Sequence, residues 1–200
     1  VSKMLMQRLI ENFIKPARRK IILDEMTNTP NIGITSQYNN KEVEIFLNQM
    51  TARVGKIFGK DVIETYGYTR HYAYDSERDS LHRHTDRPAC EFSLTICLAT
   101  NCSWPIFVAD GPWRDRTLER PNALPYITQP GDAVAYFGCH ELHWREKLVT
   151  PGAYQTQMFL HYIDKNGPHY PDHAYDSVAK ARASGDPRIE AYQEGYAIPK

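Results

Sequence analysis

The strongest constraint on this chain is a change of hydrophobic period at Gly59. Before it, Val43, Phe46, Leu47, Met50, Val54 and Phe58 recur at helical spacing, and Asn39 or Asn40 stands where a cap belongs. Glu42 and Glu44 suit the positive end, so 41–58 reads as a helix that Gly59 stops. After Gly59 the period moves to two, in IETYGYTRHYAYD (63–75), EFSLTICLA (91–99), WPIFVA (104–109), DAVAYFG (132–138) and YQTQMFLHYI (154–163). Short strands with long Gly- and Pro-bearing connections predict an antiparallel sandwich or barrel carrying a helical layer. A further packing helix is expected over 3–15, where Met4, Met6, Leu9, Ile10, Phe13 and Ile14 share a broad face. The basic excess of that segment reads as a solvated face rather than a membrane-surface helix. The segment 165–200, rich in Pro, Gly and Asp, is expected to wrap the surface, with short helices near 176–183 and 187–194.

A length of 200 residues suits one domain, placed here at 1–164 with its β core over about 62–164. Lys+Arg and Asp+Glu are equal at 24 each, so the chain lacks the basic excess of a general nucleic-acid binder. No stretch reaches the roughly 18 uncharged apolar residues of a membrane span. Cys90, Cys97, Cys102 and Cys139 form no CxxC pair, and the N-terminus VSKMLMQRLI has no signal-peptide apolar run, so reduced thiols in a cytoplasmic protein are expected.

The chemical signal lies in Leu81-His82-Arg83-His84-Thr85-Asp86 and, much later, Gly138-Cys139-His140-Glu141-Leu142-His143-Trp144-Arg145. Residues two apart in an extended chain project from one side, so His84 and Asp86 can present an imidazole and a carboxylate to one point. A third ligand must come from another strand, and His143, beyond the strand at 132–138, is the natural candidate. Two His and one carboxylate leave three octahedral positions open, which suits non-haem Fe(II) with a chelating cosubstrate and dioxygen. His82 and His140 are the less favoured members of their pairs. Cys139-His140 has the composition of a nucleophile beside a base, but sequence neighbours rarely point at each other as that chemistry needs.

Several segments together resemble the Fe(II)- and 2-oxoglutarate-dependent oxygenases, in particular their prolyl 4-hydroxylase-like branch: HTDRPACEFSLTICL (84–98), WPIFV (104–108), PGDAVAYFGCHELHWRE (130–146) and QMFLHYID (157–164). The resemblance covers roughly 63–164. It implies a mainly β fold, a double-stranded β-helix (jelly-roll, cupin-like) with N-terminal helices packed on one sheet. It also implies His84, Asp86 and His143 as iron ligands, and 2-oxoglutarate as cosubstrate with ascorbate as a reductant. The implied reaction is dioxygen-dependent hydroxylation of a small molecule, an amino acid or a peptidyl proline, with 2-oxoglutarate converted to succinate.

One departure stands out. The resemblance places an Arg or Lys some ten residues beyond the distal His to hold the far carboxylate of 2-oxoglutarate, and Leu148 to Gln157 contains neither. Arg70, Arg87 and Arg145 are the candidate replacements, with Tyr72 and Tyr74 as companion cosubstrate contacts. Tyr66, Tyr68, Arg70, Tyr72 and Tyr74 alternate along one strand face, a polar stripe suited to a pocket wall. Tyr66, Tyr68 and Trp144 are the candidate substrate contacts.

Two other readings compete. A cupin-like isomerase or 2-oxoglutarate-independent dioxygenase would use His82, His84, Glu91 and His143. A non-catalytic β-sandwich module would use the tyrosine stripe as a binding surface.

Overall fold

A computed structural model of the protein describes residues 8–28, 36–38, 40–109 and 122–174. Its longest helix forms where the sequence supplies both ends. The Asn40 side chain accepts the Val43 N–H, and Gly59, at φ 65°, takes the left-handed conformation that closes a helix. Between them runs α2 (Lys41–Phe58), preceded by β1 (Leu9–Ile10), α1 (Pro16–Asn28) and β2 (Ser36–Tyr38). Beyond it lie β3 (Val62–Ala73), β4 (Leu81–His84), a 3-10 turn (Pro88–Cys90), β5 (Phe92–Thr100), β6 (Ile106–Ala109), β7 (Ala123–Tyr126), β8 (Ala133–Tyr136), β9 (His143–Arg145) and β10 (Tyr154–Asp164).

The strands form two antiparallel sheets, a major one in the order β1-β8-β5-β10-β3-β2 and a minor one in the order β4-β9-β6-β7. Mainly β, with two helices on one face, this is a double-stranded β-helix. Alternation along the major sheet separates two environments. Leu94, Ile96 and Leu98 of β5, Met158, Leu160 and Tyr162 of β10, and Ala133 and Ala135 of β8 join Ile22, Phe46, Leu47 and Val54 of the helices in the main apolar core. The intervening side chains point between the sheets, and many are polar: Ser93 and Thr95 of β5, and Gln155, Gln157 and His161 of β10, are all buried.

A bulge in β3 turns the tyrosine stripe toward this interior. Leu160 pairs with Gly67 and Tyr162 with Glu64, so β3 has one extra residue between the two pairs. Glu64 accordingly faces α2, where its carboxylate accepts from Asn48 and Thr51, whereas Tyr66, Tyr68, Arg70 and Tyr72 face the interior.

The helix expected over 3–15 is not there in the described part of that segment. Leu9 and Ile10 instead pair with Val134 and Ala133 as an edge strand, and the Ala135 N–H donates to the Arg8 carbonyl. Pro16 is the physical reason: it disfavours helical backbone at the residue before it and is at home in a helix's first turn, so α1 starts there. Phe13 and Ile14 are buried in the core all the same. Residues 3–7 of that segment and the short helices expected near 176–183 and 187–194 lie outside the described residues.

Among the described residues, no helix is long and apolar enough to cross a membrane. The four cysteines are thiols rather than disulfides. Leu160 is fully buried between the central strands and the helices. Leu160→Ala is expected to cost about 2–5 kcal/mol of stability in denaturant unfolding, from lost transfer energy and the cavity left behind.

Candidate metal centre

The pairing of β4 with β9 sets His84 directly opposite His143. Their ring centroids are 4.3 Å apart. Asp86 follows β4 by two residues, and its backbone N–H donates to the Gly138 carbonyl at 2.8 Å. His84 Nε2 lies 3.4 Å and His143 Nε2 3.5 Å from Asp86 Oδ1. The ligand atoms of the three residues lie within 4.8 Å of one another.

Backbone carbonyls orient both rings. His84 Nδ1 lies 2.7 Å from the His82 carbonyl and His143 Nδ1 3.0 Å from the Glu141 carbonyl. A carbonyl only accepts, so Nδ1 carries a proton and Nε2 is the atom each ring turns toward Asp86. Two lone pairs and a carboxylate oxygen facing one point repel one another unless a cation or protons stand between them. Burial pushes the Asp86 carboxyl up, but in the absence of a metal the facing His143 and His84 rings, acting through Nε2 as N–H donors and positive charge, overcome it and hold the group well below the usual carboxylate range. Burial likewise opposes charge on His84, and Asp86 outweighs it, so the His84 pKa is raised. Two imidazole nitrogens and one carboxylate oxygen, each oriented from behind, are a donor set that fits a divalent first-row metal.

The next layer is equally specific. Ser93 Oγ donates to Asp86 Oδ2 at 3.1 Å and lies 2.9 Å from His161 Nδ1. With Ser93 donating to Asp86, His161 donates its Nδ1 proton to Ser93. Burial lowers the His161 pKa to about 4, so that ring is neutral. Gly138 leaves room for the carboxylate: a Cβ there would stand 2.2 Å from the Cys90 carbonyl oxygen, 2.5 Å from Ser93 Oγ and 2.6 Å from Asp86 Oδ2. None of Ser93, Gly138 and His161 stood out in the sequence. Ser93 and His161 could have been found from their place in the alternation of strands 91–99 and 154–163.

The other sequence-predicted residues separate into those that face the interior and those that do not. Tyr66 stacks near His161, with its hydroxyl 3.1 Å from Cys90 Sγ, and Tyr68 stacks on Phe159. Tyr72 is buried against Trp104. Arg70 donates to Ser36 Oγ through Nε and to the Tyr72 hydroxyl through Nη1. Arg87 is exposed and lies over the Tyr66 ring at the rim. Arg145, two residues beyond His143 on the same strand face, is only 2% exposed and reaches Trp104, whose carbonyl accepts from Nη1 at 2.6 Å. Glu141 and Glu146 are engaged elsewhere, by Arg8 and by the Trp144 indole.

Two expectations are corrected. Trp144 alternates with His143 and Arg145, so it points out of the minor sheet, stacked on Phe107 beneath Arg83. Tyr74 lies beyond the end of β3, is 39% exposed and lines a surface depression with His71 and Tyr154. The cupin-like ligand set also fails. Glu91 accepts the Asp164 N–H instead, and His82 is exposed with its ring 6.4 Å from that of His84. The Cys139 thiol is pushed up to about 12 by burial, which removes it as a nucleophile at neutral pH.

No protein-family model matches the sequence, and no curated protein matches it. Solved structures do match the fold. EctD from S. alaskensis, with 2-oxoglutarate and 5-hydroxyectoine, superposes with a TM-score of 0.59 at 15% identity, covering 78% of this chain and 71% of that one. SnoN, a non-haem α-ketoglutarate-dependent epimerase from nogalamycin biosynthesis, gives 0.62 at 12% identity over 78% and 77%. HygX from Streptomyces hygroscopicus, with nickel and 2-oxoglutarate, gives 0.59 at 10% over 79% and 81%. The fold is therefore that of the non-haem 2-oxoglutarate-dependent enzymes. At these identities the likeness defines the fold and does not single out the prolyl 4-hydroxylase-like branch.

Gly138→Ala is expected to lower divalent-metal affinity by about 10–100-fold, the usual effect of disturbing the groups that orient a ligand. Calorimetric titration with Mn(II), with circular dichroism as a check on folding, measures it.

Proposed function

We propose that this protein is a non-haem Fe(II)- and 2-oxoglutarate-dependent dioxygenase. It hydroxylates an unactivated C–H bond of a small molecule, an amino acid or a peptidyl proline, with 2-oxoglutarate leaving as succinate and carbon dioxide. One observation carries the reading: His84 Nε2, Asp86 Oδ1 and His143 Nε2 converge at one point inside a fold that enzymes of this chemistry use. In this reading residues 1–164 form the oxygenase domain, and the cysteine thiols suit the reducing cytoplasm.

His84, Asp86 and His143 would hold the iron. Iron and 2-oxoglutarate together supply the oxidising chemistry, one atom of dioxygen going to the substrate and the other to succinate. The chain's own contribution is orientation and charge. The carbonyls of His82 and Glu141 keep both Nε2 lone pairs turned to the metal position. Ser93 holds Asp86 Oδ2 and leaves Oδ1 as the ligand atom. One carboxylate and two neutral imidazoles leave a divalent ion with net positive charge, which favours an anionic cosubstrate. Tyr68, Phe159 and Tyr136 wall the interior, limit water there and strengthen every electrostatic contact inside. Tyr66 and Tyr68, which lie beside His161 in the interior, are the proposed substrate contacts. The small-molecule ligand of EctD supports a small-molecule substrate over a peptide.

The test is anaerobic addition of Fe(II) and 2-oxoglutarate. A visible charge-transfer band is expected, absent in His84→Ala and His143→Ala, and slow succinate formation should follow on admitting air. Wild-type protein giving neither band nor succinate would overturn the reading. Mass spectrometry of an amino-acid and proline-peptide panel, scored for oxygen addition that requires His84, then identifies the substrate.

A further inference from the structure

The loop between β8 and β9, residues 137–142, aims two of the three candidate ligands at once. Its Gly138 carbonyl accepts the Asp86 backbone N–H at 2.8 Å, and its Glu141 carbonyl accepts the His143 Nδ1 proton at 3.0 Å. The shape of this loop therefore sets the direction in which both residues point. Two backbone bonds hold it, from the His140 and Glu141 N–H groups to the Phe137 carbonyl. One side chain completes it: Glu141 folds back on its own loop, where Oε2 accepts the Phe137 N–H at 2.9 Å. Glu141 is buried, and a buried carboxylate is costly unless it is both hydrogen-bonded and paired.

The partner comes from the other end of the chain. Arg8, immediately before β1, closes on Glu141 with both arms of its guanidinium, Nη1 on Oε2 and Nη2 on Oε1, each at 2.6 Å. A single ammonium could balance the charge, whereas two parallel bonds also fix the rotation of the carboxylate. The backbone around Arg8 is itself tied to the major sheet. Its carbonyl accepts the Ala135 N–H, Leu9 and Ile10 pair with β8, the Asn12 N–H donates to Asp132, and the Ile14 N–H donates to the Gly131 carbonyl. The guanidinium thus reaches the loop from a fixed base. His84 is oriented separately, by the His82 carbonyl of its own strand.

We infer that Arg8 is a positioning residue for the metal centre: through the Glu141 carboxylate it sets the loop 137–142, and through that loop the aim of Asp86 and His143. The inference rests on the reading of His84, Asp86 and His143 as metal ligands. It adds to that reading an N-terminal segment whose basic residues look, in the sequence, like a solvated face.

The experiment titrates the full chain with Co(II), whose unpaired electrons shift the ring protons of any imidazole bound to it. Wild type is expected to show two shifted, exchangeable imidazole N–H signals by proton NMR, from His84 and His143. In Arg8→Met the Co(II) affinity, measured by calorimetry, should fall about 10–100-fold, the usual effect of losing a group that orients a ligand. At saturating Co(II), one of the two signals should move and exchange faster with water while the other keeps its place. Arg8→Lys, with the charge but not the fork, should fall between. Arg8→Met combined with Glu141→Gln leaves no unpaired buried charge, and its amide oxygen can still take the Phe137 N–H. It serves if the single variant does not fold, and should show the same one-sided displacement. Arg18→Met breaks an ion pair with Glu42 between the helices and should leave the affinity and both signals as in wild type. If the Arg8 variants melt below wild type yet bind Co(II) with wild-type affinity and unmoved signals, Arg8 is structural only and the inference is overturned. Equal displacement of both signals overturns it too, because that is general loosening. Wild type giving no shifted imidazole signal with Co(II) would sink the metal reading itself, a result distinct from normal Co(II) binding that ignores Arg8.

Discussion

Alternation along β10 is the constraint from which the rest follows. This strand sits between β3 and β5 in the major sheet, so its two faces govern both sides of the molecule. Met158, Leu160 and Tyr162 are committed to the apolar layer beneath the helices, and burial there supplies the driving force for folding. Because that layer carries the core, the opposite face is free to be polar. Gln155, Gln157 and His161 occupy positions that a simple sandwich would fill with Val or Leu. A register slip of one residue would exchange the two sets, so packing against the helices fixes the interior chemistry as firmly as any local interaction.

Within that interior the chemistry is concentrated on a three-residue strand. β9 sets His143 opposite His84 and carries Arg145 on the same face, while Trp144 turns outward and packs on Phe107. The division of labour follows from pleating alone. What pleating does not supply is the aim of each group, and that comes from acceptors behind them: the Glu141 carbonyl for His143 and the Trp104 carbonyl for Arg145. Buried polar groups in such a network are held by their neighbours and also limited by them.

Much of the scaffold was legible because its signals are local. Asn40, Gly59 and the apolar spacing between them mark α2, and the two-residue alternation marks the long strands. His84, Asp86 and His143 could be grouped because the constellation depends on residue type and on a strand's geometry. The failures are non-local. Leu9 and Ile10 have the spacing of a helix face, yet the free edge of β8 recruits them as a strand, and only the tertiary structure provides that edge. Tyr74 belongs to the stripe by sequence parity but lies past the end of β3. Arg70 and Arg145 look equivalent as letters, and only their hydrogen-bond accounts tell them apart.

β4 and β9 meet at just two register positions, Leu81 opposite Arg145 and His84 opposite His143, with an irregularity between them. So short a ladder has little intrinsic resistance to local opening. A cation held by His84, Asp86 and His143 would act as a fastener between segments far apart in sequence, and its binding energy would be added to the cost of separating them. Amide protection in this corner of the minor sheet would then report metal occupancy, while the helix-covered sheet would exchange at the rate set by global unfolding.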